Sequence, residues 1–216
     1  MIRACIFDLD GTLSNTLETI AHYANQTLNR FHLPAIPTER YRYLVGNGAR
    51  ILVERMLRET NGDMSLLEEA FRDYTQSYDK EPLYLTAPYD VILDMLRELK
   101  SRNIKIAVLS NKPHYATVSV VEALFGKDTF DRCYGQREGV PIKPDPAALI
   151  TLMDELGVSP EECLYIGDTA TDMQTGRGAG AKTVGVLWGF RNRAELTESG
   201  GELLIEHPRQ LLDALV

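Results

Sequence analysis

Ile2-Arg3-Ala4-Cys5-Ile6-Phe7-Asp8-Leu9-Asp10-Gly11-Thr12 lies near the N-terminus of the chain. Its first half is a short apolar run without the polar alternation of a half-solvated strand, which predicts a strand covered on both faces. The run ends abruptly in two acids and a glycine, the composition of a turn. Outward from this point the chain changes character twice. Between Ser14 and about Leu85, apolar residues recur at helical spacing. The series are Leu17, Ile20, Ala21, Ala24, Leu28, then Ile51, Leu52, Met56, then Leu66 to Tyr78. After Pro88, helical and strand-like segments alternate. Helical patterns over 91–102, 115–125, 145–156 and 171–179 are separated by strand-like runs at 104–109, 130–134, 163–166 and 183–187. A strand at 203–205 and a helix at 208–215 close the chain.

Strands alternating with helices predict βαβ units and a doubly wound parallel sheet, an α/β core. The expected organisation is a core of residues 1–14 and 86–216 with an all-helical insertion over 15–85, a cap entered just after the first strand. Candidate hinges lie at 13–16 and around Pro82–Pro88.

Composition narrows the partners. The chain has 216 residues, net charge −8 and a pI near 5.1. Such a field repels nucleic acid, so no nucleic-acid partner is expected. No apolar run approaches the length needed to span a bilayer, so no membrane association is expected. The N-terminus lacks a signal-peptide layout, and Cys5, Cys133 and Cys163 are too scattered for a disulfide framework or thiolate metal site. A reducing cytoplasm and a monomer or homodimer are the expected setting.

In open α/β sheets, ligands bind beyond the carboxyl ends of the strands. The residues there are Asp8-Leu9-Asp10-Gly11-Thr12, then Ser110-Asn111-Lys112, then Gly167-Asp168-Thr169-Ala170-Thr171-Asp172; Lys143 precedes a predicted helix. Four carboxylates would repel each other, and a hard cation with oxygen ligands, Mg2+, resolves this. Hydroxyl, amide and ammonium donors suit a transferring phosphoryl group. An aspartate can attack phosphorus, and a second acid two residues on can protonate the leaving oxygen. Lys112 reads as a surface residue, Trp188 as packing, and Cys5 and Cys163 as core. His22, His32, His114 and His207 have no metal-binding spacing.

These segments, in this order, resemble the four motifs of the haloacid dehalogenase superfamily. Motif one is Asp8-Leu9-Asp10-Gly11-Thr12, motif two Ser110-Asn111, motif three Lys143, and motif four Gly167-Asp168 with Asp172. The resemblance spans the chain, helical cap included. It implies Asp8 as nucleophile and metal ligand, and Asp10 as general acid/base with its backbone carbonyl on the metal. It implies Asp168 as metal ligand with Asp172 in support, and Ser110 and Lys143 on the phosphate, with Asn111, Gly11 and Thr12 beside them. Val45-Gly46-Asn47-Gly48-Ala49 and Gly185-Val186-Leu187-Trp188-Gly189-Phe190 are similar to segments of phosphoglycolate phosphatase-like members. Gly48 and Arg50 are therefore candidate substrate contacts. Asn15 departs from the Asp of many relatives.

The expected activity is Mg2+-dependent hydrolysis of a small phosphorylated metabolite through an aspartyl-phosphate, with 2-phosphoglycolate leading. Pyrophosphate, nucleotide or sugar-phosphate hydrolysis and phosphosugar mutation are the alternatives. Asp10 argues against a dehalogenase, which needs no acid for a halide.

Overall fold

The computed structural model describes residues 1–215. The chain forms two compact units, Met1–Asn15 with Pro88 onward, and Thr16–Ala87. The short strands β2 (Ser14–Asn15) and β3 (Ala87–Pro88) pair where the chain passes between them.

The first unit is built on a six-stranded sheet. Its strands are β1 (Ala4–Phe7), β4 (Lys105–Pro113), β5 (Arg132–Gln136), β6 (Cys163–Gly167), β7 (Lys182–Val186) and β8 (Leu203–Ile205), in the spatial order β5-β4-β1-β6-β7-β8. All neighbours run parallel. β1 is central and all four of its residues are buried, which explains why its sequence is apolar without alternation. Its odd residues Cys5 and Phe7 join one core with α5 (Ile92–Ser101), α6 (His114–Phe125) and the closing 3-10 helix Pro208–Leu215. Its even residues Ala4 and Ile6 join another core with α7 (Ala147–Leu156). The strand thus carries helices on both faces, the doubly wound α/β arrangement that the alternation predicts.

Register places the chemistry. Phe7 pairs with Val108 on one side and Ile166 on the other. The residues that follow, Asp8, Leu109-Ser110 and Gly167-Asp168, therefore reach the carboxyl edge of the sheet at one level. The chain winds outward from β1 through β4 and β5, then returns to β6 on the other side of β1. That reversal is the switch point at which such sheets open a crevice.

Several assignments differ from the sequence reading, and β4 runs on to Pro113 rather than ending at Leu109. The third core strand starts at Arg132 rather than at Phe130. Phe130 instead packs edge-on against Phe125, and the Asp131 carboxylate accepts the Ile106 amide at 2.8 Å. The helix expected from Asp145 starts at Ala147, because the Asp145 side chain accepts the Ala147 amide at 2.9 Å and forms a turn. The last segment is 3-10 rather than α.

The second unit contains α1 (Leu17–Arg30), a short α2 (Tyr41–Leu44), α3 (Ala49–Glu59) and α4 (Leu67–Lys80), without strands inside Thr16–Tyr84. Its buried side chains include Leu28, Tyr41, Val53, Met56, Leu57 and Tyr74. Polar bonds tie α1 to α4: Thr27 Oγ1 donates to Asp73 at 2.7 Å, and Arg30 pairs with the same carboxylate at 2.6 Å. Asn25 holds the connection to α2 by bonding both backbone groups of Ile36 and the Tyr41 hydroxyl. The turn at Gly46–Gly48 leads directly into α3.

Candidate active site

The turn after β1 forms because three successive amides, Thr12, Leu13 and Ser14, converge on the Leu9 carbonyl. Gly11 makes this possible with φ +87°, and a Cβ there would lie 2.2 Å from Asp168 Oδ2. No other residue type fits so close to that carboxylate. Asp8 remains fixed to the sheet, since its amide donates to the Ile166 carbonyl at 2.8 Å.

Asp8, Asp168 and Asp172 are buried and bring carboxylate oxygens within 4.8 Å of one another. Lys143 lies between two of them. Its Nζ is 2.9 Å from Asp8 Oδ1, 2.7 Å from Asp172 Oδ1 and 3.2 Å from the Leu109 carbonyl. Burial alone would lower the Lys143 pKa, but Asp172 and Asp8 outweigh it and hold it well above the ordinary lysine value. Asp8 is pushed up to about 7: burial raises it most, Lys143 offsets part of that rise, and the like charges of Asp172 and Asp10 add to it. Burial and then the like charges of Asp172 and Asp8 raise Asp168 well above the carboxylate range.

The acids differ in how they are held. Asp172 accepts four donors: Lys143, the Tyr165 hydroxyl at 3.2 Å, and the Thr169 amide and hydroxyl at 3.1 and 2.7 Å. The Thr169 contacts form a capping box at the start of α8 (Ala170–Gly178). Asp168 accepts Thr12 Oγ1 at 3.1 Å and the Phe190 amide at 2.7 Å, with no ammonium among these contacts. Trp188 Nε1 donates to the Thr12 carbonyl at 3.0 Å, tying the first turn to the loop after β7.

Three residues differ from the sequence reading. Lys112 is not a surface residue: its side chain is 8% exposed and its ammonium lies 3.1 and 3.2 Å from the two oxygens of Asp10. Because β4 runs to Pro113, Lys112 lies two residues beyond Ser110 on one strand, and period two repeats the face. Asn111 spends its carboxamide on the Lys143 backbone, donating to its carbonyl at 3.0 Å and accepting its amide at 2.9 Å. It orients the lysine through this pair of bonds. Thr12, read as a phosphate neighbour, gives its hydroxyl to Asp168. Ser110 is buried and its Oγ accepts the Lys112 amide at 3.2 Å, which leaves its proton available to an incoming oxygen. Gly48 and Arg50 belong to the helical unit; Gly48 precedes α3, and Arg50 is ion-paired with Glu68. Tyr165, Thr169 and the Phe190 amide were not singled out by sequence, since a tyrosine inside an apolar strand reads as packing.

A hard divalent cation fits this donor set. Asp8, Asp10, Asp168 and Asp172 meet two ammoniums, Lys112 and Lys143, so two formal negative charges are left over. The cluster offers oxygen ligands only, the preference of Mg2+ or Ca2+. Asp168, the acid of the three with no ammonium among these contacts, is the one with most to gain.

Comparison with known proteins agrees with this chemistry. The family profile described as haloacid dehalogenase-like hydrolase matches residues 5–186. The chain is 32% identical to a phosphoglycolate phosphatase of Haemophilus influenzae, covering 97% of this chain and 96% of that one. It is 31% identical to a phosphoglycolate phosphatase of Pseudomonas putida, over 97% and 78% respectively. An N-acetylmuramic acid 6-phosphate phosphatase of Pseudomonas aeruginosa is 28% identical over 99% and 95%. Among solved structures, a protein of Lactobacillus delbrueckii subsp. bulgaricus, provisionally named a phosphoglycolate phosphatase, superposes with a TM-score of 0.94 at 27% identity, covering 99% and 98%. With acids, lysine and hydroxyl gathered at the switch point of a matching fold, the chain belongs to the haloacid dehalogenase-like hydrolases and is a phosphoric monoester hydrolase.

Proposed function

We propose that the chain is an Mg2+-dependent phosphatase that transfers the phosphoryl group of its substrate to Asp8, with 2-phosphoglycolate the leading substrate. The observation that carries this reading is the position of Asp8: fixed at the end of β1 and bridged through Lys143 to Asp172 inside an oxygen-only acidic cluster. An Asp8 oxygen attacks phosphorus while the bond to the leaving oxygen breaks and Asp10 gives that oxygen a proton. Water then attacks the aspartyl-phosphate, Asp10 takes its proton, and the bond to Asp8 breaks. Lys143 and the Ser110 hydroxyl bind the phosphoryl oxygens. Mg2+, held by Asp8, Asp168 and the Asp10 carbonyl with Asp172 in support, supplies charge neutralisation to acids that would otherwise repel an anionic ester. The free thiols Cys5, Cys133 and Cys163 are consistent with a reducing cytoplasm.

The choice of 2-phosphoglycolate rests on the curated relatives that carry that activity in their names. The N-acetylmuramic acid 6-phosphate phosphatase among the relatives makes a sugar phosphate the second reading. Phosphate release from 2-phosphoglycolate, pyrophosphate, nucleotides and sugar phosphates, with and without Mg2+, separates them. We expect 2-phosphoglycolate to give the highest kcat/KM, and Asp8→Asn to lose roughly a thousandfold or more of the activity. Near-full activity in Asp8→Asn would overturn the covalent route.

A further inference from the structure

We propose that Trp188, a residue whose sequence context reads as packing, is a positioning residue for the divalent cation. Its indole N–H locks the turn that carries the Asp10 carbonyl to the loop that carries Asp168. This deepens the reading above and rests on it in one respect, that these two groups are ligands of the metal.

The proposed ligands are anchored unequally. Asp8 has its amide in the sheet and a lysine on its carboxylate. Asp168 meets neutral donors, and the Asp10 carbonyl belongs to a turn. The segment Leu187-Trp188-Gly189-Phe190, after β7, reaches both of these. The Phe190 amide donates to Asp168 Oδ2 at 2.7 Å, and Trp188 Nε1 donates to the Thr12 carbonyl at 3.0 Å. Thr12 closes the circuit, since its hydroxyl donates to Asp168 Oδ1 at 3.1 Å. Gly189 stands between the two donors, where a Cβ would lie 2.5 Å from both Asp168 Oδ2 and the Gly11 carbonyl. The loops after β1, β6 and β7 are thereby joined in one ring of hydrogen bonds, and the indole supplies the link between the first and the last.

Tryptophan suits the task. Its ring packs against the core that contains Leu9 and Leu13, so the donor is held in place by apolar contact. The indole N–H is a donor only, so it grips a carbonyl without competing for the cation. The segment is also fixed on both sides. The Leu187 amide donates to the Ile205 carbonyl at 2.9 Å, and the Asn192 side chain accepts the Glu195 amide at 3.0 Å at the start of α9 (Arg193–Glu198). Mg2+ demands near-octahedral geometry, so oxygens held at a set spacing before the ion arrives favour its binding.

The chain has a single tryptophan, so biosynthetic replacement with 3-benzothienylalanine exchanges this N–H for a sulfur and keeps the ring's shape. Mg2+ binding to the substrate-free protein is measured by titration calorimetry for wild type, the benzothienyl protein, Trp188→Phe and Asp168→Asn. Thermal unfolding verifies that each is folded. We expect the Kd for Mg2+ to rise by roughly 5- to 20-fold in the benzothienyl protein, and by at least as much in Trp188→Phe. Asp168→Asn should raise it by about 100-fold or more. A benzothienyl protein with the wild-type Kd would overturn the inference and leave Trp188 as packing, whether or not Trp188→Phe folds. If Asp168→Asn binds Mg2+ as tightly as wild type, the metal reading falls and takes this inference with it. Loss of binding in Asp168→Asn with none in the benzothienyl protein defeats the inference alone.

Discussion

At the scale of single residues, the site is a problem of crowded negative charge, and each acid is relieved differently. Asp172 is relieved by Lys143 and three further donors, and Asp10 by Lys112. Asp8 has half of a lysine, and Asp168 has only a hydroxyl and an amide. The consequence is a pH dependence whose sign follows from burial. The Asp8 pKa rises from 3.8 to about 7, so the folded chain retains a proton that the unfolded chain gives up. The stability that this proton confers is whole below 3.8 and is lost as pH rises through about 7. A divalent cation held by these acids would replace the proton at the same oxygens. Added Mg2+ is therefore expected to raise the unfolding temperature little at pH 5 and by roughly 5–10 °C at pH 8 when present at a hundredfold excess over its Kd. Thermal scans at both pH values, with and without Mg2+, check this; a shift of equal size at both would show that the cation does not bind these acids.

At the scale of elements, three loops at the carboxyl edge are held by side-chain bonds to Asp168 and Thr12 and pack so closely that only glycine fits where they meet. Gly11, Gly167 and Gly189 each sit where a Cβ would come within 2.3 Å of Asp168 or Asp172 atoms. Gly189 lies after β7, outside the turns that carry the acids, yet its Cβ would also meet the Gly11 carbonyl at 2.5 Å. Gly189→Ala is expected to displace Asp168 and raise the Mg2+ concentration for half-maximal activity by roughly 10- to 100-fold. An unchanged Mg2+ requirement in a folded variant would mean that Asp168 is not the metal's principal anchor. This scale also separates what sequence makes legible from what it hides. β1 and β6 read directly, because a strand buried on both faces is apolar throughout, and the acids that end them stand out against it. The Lys112–Asp10 pair was hidden for the opposite reason: a lysine near a strand end reads as solvated, and its partner is 102 residues away. The Asn111 grip on Lys143 was hidden because an amide after a strand suits both a ligand and a backbone brace. The start of β5 was misjudged because Phe130 is apolar for packing on Phe125, not for lying in the sheet.

At the scale of the whole molecule, the residues proposed for phosphoryl transfer gather in one of the two units. Every residue proposed for phosphoryl transfer belongs to the unit of Met1–Asn15 and Pro88 onward; the unit of Thr16–Ala87 contributes none. That second unit packs its own buried side chains, Tyr41, Val53, Met56 and Leu57 among them, and secures α1 to α4 with its own ion pair. A helical unit with its own core can change its surface without disturbing the sheet, and sequences that keep one reaction while varying the ester would change there. The turn at 46–50 is the place to try, since Gly46 and Gly48 adopt positive φ and lead into α3, and Arg50 pairs with Glu68 without entering the unit's core. Replacing residues 46–50 with a turn of equal length is expected to alter kcat/KM ratios among phosphate esters by roughly tenfold or more. The Mg2+ concentration for half-maximal activity should stay within about twofold, because the acids belong to the other unit. Unchanged ratios across the ester panel would remove substrate choice from this turn. A changed Mg2+ requirement would show that the units do not divide the work as their sequences suggest.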